Sequence, residues 1–314
     1  MALLQRKQNS QGLTALGIYP QGVAVVRIGA GENGNAPSVE LWDYRPTAQS
    51  KSLVNLLGKL SLDYGLDHTR CITVLDDQEY KLILTDAPDV PAEEVPSTLR
   101  WQIKKMVDFP VHDAAIDFIE FPQPSGAAEV KRLYTVVAKN EAITQRVELF
   151  SDAGIRLRVI DIPEMAQHNL VNLLPEADKP IAMLSFHRHS ILITLHYRGL
   201  IYLARRIYIG LDSQAGEHGV SGHYQQIILE LQRSTEYLET HYFDCPAVDR
   251  VVLAPSPMAT KELTEHLRNA IDIPIMELDL TQILSWKVTP PSSEVLGRCF
   301  ATIGAALRRE GVRA

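Results

Sequence analysis

Few residues in this chain have the types and spacing that chemistry needs. His187 and His189 flank a turn, and His196 lies in the strand that follows. A metal site needs three or four ligands held by geometry, and this spacing fixes no third one. The simpler reading makes them exposed turn residues, with Arg188 between them as a candidate remnant of an anion-binding turn. Ser97, Ser185 and Ser190 lack a G-x-S-x-G setting, so no nucleophilic serine can be argued. Gly29-Ala-Gly31-Glu-Asn-Gly34 matches G-x-G-x-x-G in outline. It lies between two hairpin strands with no helix after it, so it reads as a flexible loop and not as a dinucleotide site. Asp161 and Asp212 each follow a strand and could each supply one carboxylate to a magnesium ion. Cys71, Cys245 and Cys299 are far apart and odd in number, which points to buried, reduced thiols in a cytosolic protein.

The totals narrow the classes. A chain of 314 residues can form two domains of ordinary size. Its net charge of −7 argues against a general nucleic-acid binder. The first dozen residues have no apolar core of signal-peptide length, and no run of about 18 apolar residues occurs. The expectation is a cytoplasmic protein that does not span a membrane but can dock on a membrane complex.

Periodicity places the elements. Leu13–Ile18, Gly22–Ile28 and Ser38–Tyr44 read as three strands, the first two joined by a turn at Tyr19-Pro20-Gln21-Gly22. A helix over Ser50–Tyr64 and a strand over Arg70–Leu75 follow. The stretch Tyr80–Pro122 holds a strand, an amphipathic helix from about Glu93 with Val95, Leu99, Ile103 and Met106/Val107 on one face, and a second strand at Ala115–Phe121. Glu93 and Glu94 in its first turn and Lys104 and Lys105 near its end suit the helix dipole, and Pro96 marks where the regular helix begins. Val130–Ala138 is a strand, Asn140 caps a helix to Asp152 closed by Gly154, and Ile155–Ile160 is a strand. Pro163–Leu174 is helical and Pro175–Pro180 is a linker. The opening pattern then recurs: strands at Ile181–Phe186, Ser190–Tyr197 and Leu200–Ile207, a loop at Ser213–Gly222 and a long helix at His223–His241. A strand at Arg250–Ala254, a helix at Ala259–Ile271, a strand at Ile275–Leu278 and a last helix capped by Ser293 complete the chain. Trp42, Trp101 and Trp286 read as packing residues. A β-β-β unit followed by helix–strand alternation, present twice, is the layout of the actin and hexokinase-like superfold.

Four segments, in order, carry a family resemblance. Leu99-Arg100-Trp101-Gln102-Ile103-Lys104 lies in the stretch Tyr80–Pro122, which resembles the extra subdomain of the PilM-type assembly proteins of type IV pili. This core is most similar to the MshI branch of the MSHA pilus. Gly199 to Gly210 resembles the family's G-x-x-x-x-R-x-I-x-I-G strand and turn, and Gln225–Tyr237 its E-x-Q-R-S-x-D-Y helix. Phe300–Arg308 is similar to its closing helix. The resemblance implies an α/β, ribonuclease H-like, duplicated actin-like fold. Its first domain would cover 1–176, with a subdomain inserted at about 78–139. Its second would cover 177–314, with the last helix, about 293–309, packing back on the first domain. It also implies a groove between the first domain and the extra subdomain. That groove takes the cytoplasmic tail of a single-pass inner-membrane partner of the PilN type, with Leu99, Arg100, Trp101 and Lys104 as candidates to line or border it. Contact with the pilus motor ATPase and self-association are further expectations. The GspL cytoplasmic domains of type II secretion look similar and act chiefly as docking surfaces.

The departures from the family pattern matter as much. Actin-like ATPases hold nucleotide with two Asp-x-Gly hairpins and a glycine-bearing adenosine turn. Here Gly17 stands for the first Asp and Tyr19 for its Gly; Ser185 and His187 replace the second pair; the adenosine turn reads Pro255-Ser256. A Pro also removes a donor N–H where donors are needed. The expectation is a pilus scaffold with no catalytic residues, cofactor or metal. The alternative is a nucleotide-binding ATPase or phosphotransferase using ATP and magnesium.

Overall fold

The computed structural model describes residues 13–29, 31, 36–91, 93–120, 122, 131–187, 190–208, 223–242, 244–256 and 261–309. The first sheet starts as an antiparallel meander of β1 (Thr14–Tyr19), β2 (Gly22–Gly29) and β3 (Ser38–Pro46). Tyr19 pairs with Gly22 across the two-residue turn expected there. β4 (Cys71–Val74) and β8 (Leu157–Asp161) extend it in parallel beyond β1. Both faces of this sheet are covered, which explains strands that are apolar at almost every position. Leu16, Val23 and Val25 turn to one face, where α1 (Leu53–Tyr64) and α3 (Asn140–Asp152) supply Leu56, Leu57, Leu60 and Phe150. Ala15, Val26 and Ile28 turn to the other.

Between β4 and α3 the chain builds a separate three-stranded antiparallel sheet. Its order is β5 (Tyr80–Asp86), β7 (Arg132–Lys139), β6 (Ala114–Glu120). α2 (Val95–Gln102) covers one face, burying Val95 and Leu99 against Leu133 and Phe118. The other face presents Leu82, Leu84 and Tyr134 to the core of the second half.

The second sheet repeats the first. β9 (Ile181–Phe186), β10 (Ser190–Tyr197) and β11 (Leu200–Tyr208) form a meander, and β12 (Arg250–Leu253) and β13 (Ile275–Glu277) add in parallel. The orders β11-β10-β9-β12-β13 and β3-β2-β1-β4-β8 are the same arrangement. α5 (Tyr224–His241) and α6 (Lys261–Ala270) pack on this second half. Two further helices, α4 (Pro163–Val171) and α9 (Phe300–Ala306), lie between the sheets. α9 packs on β1, β2, β4 and α4, so the end of the described chain returns to the first sheet.

Several expectations need correction. The regular helix of the inserted segment starts at Val95 with Pro96 in its first turn, and Glu94 is its N-cap, so the acidic first turn is absent. It tightens into a 3₁₀ turn at Ile103–Lys105, which leaves Met106 exposed and not on the apolar face. Lys139, not Asn140, is the N-cap of α3. The last helix is two: α8 (Ser293–Arg298), with Ser292 and not Ser293 as N-cap, and α9, broken at Cys299. Between α7 (Leu280–Ile283) and α8, β14 (Ser285–Trp286) adds to the first sheet beside β3. Two residues are too short to show a period of two, so nothing in the sequence announced it. Trp42 and Trp286 pack against the core as expected, whereas Trp101 is 72% exposed.

α4 and α9 meet backbone to backbone. A Cβ on Gly304 would lie 2.1 Å from the Ala166 carbonyl oxygen, which leaves no space for a methyl group. By contrast a Cβ on Gly58, inside α1, would meet nothing within 4 Å. Gly304→Ala should therefore lower stability by about 1–3 kcal/mol through overpacking, while Gly58→Ala should raise it by up to about 1 kcal/mol through helix propensity. Urea denaturation of the two variants measures both signs.

Candidate functional site

The carboxyl ends of β1, β4 and β8 and those of β9 and β12 face each other across a cleft, the usual place for ligands in α/β sheets. The three turns singled out in the sequence all lie along it. At the first, a Cβ on Gly17 would lie 2.0 Å from Thr302 Oγ1 of α9 and 2.7 Å from the Tyr19 ring. The Tyr19 hydroxyl shares a 2.5 Å hydrogen bond with Thr302 Oγ1, and burial pushes its pKa up. An aspartate at position 17 would have to displace the Thr302 hydroxyl and the Tyr19 ring. At the third turn, α8 presses on Pro255 and Ser256: a Cβ on Gly297 would lie 2.4 Å from the Pro255 carbonyl oxygen.

The second turn feeds a buried polar ladder. Ser185 Oγ donates to Gln167 Oε1 at 2.5 Å and lies 3.0 Å from His187 Nε2. Gln167 Nε2 donates to Met183 O at 2.9 Å and to Thr194 Oγ1 at 2.6 Å. Thr194 Oγ1 lies 2.5 Å from His196 Nε2, and His196 Nδ1 lies 3.3 Å from His168 Nδ1. Counting donors assigns the protons. Ser185 donates to Gln167, so it accepts from His187 Nε2–H. Thr194 accepts from Gln167, so it donates to His196 Nε2, and His196 donates from Nδ1 to His168 Nδ1; the His168 Nε2–H then faces the Asn172 amide 3.1 Å away, which accepts it through its side-chain oxygen. All three imidazoles are neutral in this arrangement. Burial agrees: it lowers His187 and His168 to about 4, and His196 well below its ordinary value. His187 is thus half-buried and engaged, not an exposed turn residue, and His196 is fully buried. Arg188, His189 and Asp212 lie outside the described residues.

Carboxylates do gather at the cleft, and arginines of the same chain hold them. Asp161, buried at the end of β8, accepts from Arg308 at 3.1 Å and from the Ile162 N–H at 2.9 Å. Burial raises its pKa and Arg308 opposes the rise. Arg206 of β11 reaches across the cleft: its Nη2 donates to Glu164 Oε1 of α4 and to the Tyr80 hydroxyl, both at 2.5 Å. Its Nη1 lies 3.5 Å from Asp77 Oδ2 and donates to Ser190 Oγ at 3.3 Å. Tyr80 donates to Glu164, and Ser190 to Asp77. One guanidinium therefore ties the second sheet to α4, to the inserted sheet and to the loop after β4. Beside it opens a cavity of about 280 Å³ lined by Tyr80, Lys81, Leu82, Glu164, Arg206 and Tyr208. Sequence reasoning missed Asp77, Tyr80 and Glu164 as a cluster. Arg206 did stand in a matched segment, Gly199–Gly210.

Next to Asp77 sits Asp76. Burial and the hydrogen-bonded Asp77 carboxylate push Asp76 up to about 6. Burial also acts on Asp77, but the bonds from Asp76 and Ser190 and the Arg206 charge outweigh it and hold Asp77 below the usual range. The pair shares a proton under mildly acidic conditions.

Of the four candidate partner residues, two face inward. Leu99 is completely buried. The Arg100 guanidinium donates to the carbonyl oxygens of Val111 and, at 2.9 Å, Ala114, so it braces the loop before β6. Trp101 and Lys104 are exposed, with the Lys104 ammonium 5.6 Å from the centroid of the Trp101 ring.

No family model and no curated protein matches this chain. Solved structures do. A chain of a "PilM-PilN type IV pilus biogenesis complex" superposes with a TM-score of 0.71 over 94% of this chain and 98% of that one, at 18% identity. The chain has the duplicated actin-like fold. Two weaker likenesses, each with a TM-score of 0.49, are a Bacteroides thetaiotaomicron protein of actin-like ATPase fold and unknown function, at 11% identity, and the cytoplasmic domain of EpsL of the Vibrio cholerae type II secretion system, at 9%. They cover 88% and 95% of this chain, and 94% and 95% of their own. In an actin-like fold the turns at Gly17, Ser185 and Pro255 would face nucleotide and magnesium. The side chains now at these turns offer no carboxylate to a metal ion; of the described carboxylates nearby, Asp77, Asp161 and Glu164 are engaged by arginine, and Asp76 shares its proton with Asp77.

Two outcomes follow from this actin-like cleft. Arg206→Met strands Glu164 and Asp77 as buried carboxylates without a cation, and stability should fall by about 3–5 kcal/mol, read from the urea midpoint. Asp76→Asn removes a group whose folded pKa lies above its unfolded one. Such a group favours folding least at high pH, and its contribution declines as pH rises from about 4 to about 6. The variant should therefore melt above the wild type at pH 7.5, with the gap closing towards pH 4.

Proposed function

We propose that this protein is a non-catalytic docking scaffold of a type IV pilus assembly machine, of the MSHA kind. It would sit in the cytoplasm against the inner-membrane complex and hold the cytoplasmic tail of a PilN-like single-pass protein. The observation that carries the reading is the filling of the first phosphate turn. Thr302 and Tyr19 occupy the space that a magnesium-holding aspartate would need at position 17. The likeness to a PilM–PilN complex over nearly the whole chain supports the tail as the ligand. Leu99 and Arg100 drop out of the docking surface, and Trp101 and Lys104 remain as its candidate border. The motor ATPase would be a further contact, coupled through the same scaffold.

The competing reading is a PilM-type ATPase, with Asp77, Asp161 and Glu164 at the cleft in its favour. Arg206 and Arg308 already supply the positive charge that a cation would bring to those carboxylates.

A ligand at about 100 times its dissociation constant stabilises a fold by about 2.7 kcal/mol, a shift of a few degrees for a chain of this size. Millimolar Mg-ATP should leave the melting midpoint unchanged, and a synthetic tail peptide of the cognate PilN-like protein should raise it. Trp101→Ala should weaken the peptide about tenfold or less by calorimetry, as expected for one exposed border contact. A magnesium-dependent shift with ATP would sink the scaffold reading.

A further inference from the structure

The corner where α2 ends is unusual for an acidic protein. From Trp101 to Met106 only Ile103 is buried and Gln102 half-buried; Trp101, Lys104, Lys105 and Met106 all project. Trp101 is 72% exposed and Met106 52%. Lys104 and Lys105 form no ion pair among the described residues. Of the acidic groups that follow, Asp108 is paired with Lys81 at 3.0 Å, and Asp113 lies 3.4 Å from the His112 ring, a pair only when that imidazole is protonated. The chain as a whole carries −7, so an unneutralised pair of lysines beside an exposed indole and thioether is a local reversal of sign.

This corner can border a peptide groove, but by itself it offers a peptide no seat. A peptide needs a concave seat with unpaired backbone or pockets. Here the neighbouring backbone is helical and bonded internally, and Arg100 takes the Val111 and Ala114 carbonyls below it. A projecting indole flanked by ammonium groups is instead the composition that settles at a bilayer interface. The ring lies at headgroup level, and the lysines meet anionic lipid.

We propose that the Trp101–Met106 corner of the inserted subdomain touches an acidic bilayer surface. The inference adds to the docking reading and rests on it only for a membrane being nearby. Two lysines and one indole give weak, reversible attachment, and stable attachment takes a second anchor. The docked tail of a single-pass protein would supply that anchor, so recruitment would need both.

The test uses the full chain without any tail peptide. The probe is extruded vesicles of equimolar phosphatidylcholine and phosphatidylglycerol, with phosphatidylcholine alone as control. Co-sedimentation should show weak binding to the acidic vesicles, lost on raising the salt. Each lysine near an anionic surface is worth about fivefold, so Lys104→Ala/Lys105→Ala should weaken it about 25-fold. Indole emission should shift to the blue on binding, and Trp101→Phe should abolish that shift while Trp42 and Trp286 remain. No binding to acidic vesicles, or binding that both variants leave unchanged, overturns the proposal. So does a result in which the variants lose tail-peptide affinity but keep vesicle binding, which would give the corner to the tail alone. Failure of the peptide to bind the wild type, with vesicle binding intact, would instead count against the docking reading.

Discussion

Two helices must pass between two sheets with almost no space, and the cleft takes its chemistry from that constraint. α4 and α9 touch through Gly304 and the Ala166 carbonyl, at a separation that no side chain survives. That contact brings α9 down on the first sheet, where Thr302 meets Gly17 and bonds Tyr19. The residue types at the first phosphate turn therefore belong with the position of the helix. A small residue at 17 and a hydroxyl at 302 are parts of one packing solution. An aspartate at 17 would have to displace the Thr302 and Tyr19 side chains, so the two positions can change only together.

The polar interior is consistent with a fixed relation between the halves. Burying Arg206 with Glu164 and Asp77 removes three charges from water, a cost that only close, multiple hydrogen bonding offsets. The bonds come from four separate parts of the chain, so they hold only when those parts are in one arrangement. The histidine ladder adds the same demand in neutral form, since each donor has one acceptor and a shifted strand would leave several unmet.

Much of the fold was legible because its signals are local. The two β-β-β meanders show as apolar strands with tight turns, and their recurrence after Pro180 gave the duplication. The inserted sheet and its helix followed from a change of period near Glu93. What was not legible depends on distant partners. Tyr19 and Thr302 are 283 positions apart, and Asp77 and Ser190 are 113 apart. No periodicity links such pairs. The matched segment named Leu99 as a border residue although the period had already put it on the apolar face, and the Arg100 bonds to the Val111 and Ala114 carbonyls again join residues that no period links.

β14 carries a last consequence. Ser285 and Trp286 pair with Ser38 and Val39 alone, so they cover only the first end of the outer edge of β3. During synthesis that edge stays open until almost the entire second half has left the ribosome. Long-range closure of this kind slows folding and leaves an unpaired strand exposed meanwhile. A chain cut anywhere between the two sheets would leave Ser38 and Val39 without this partner.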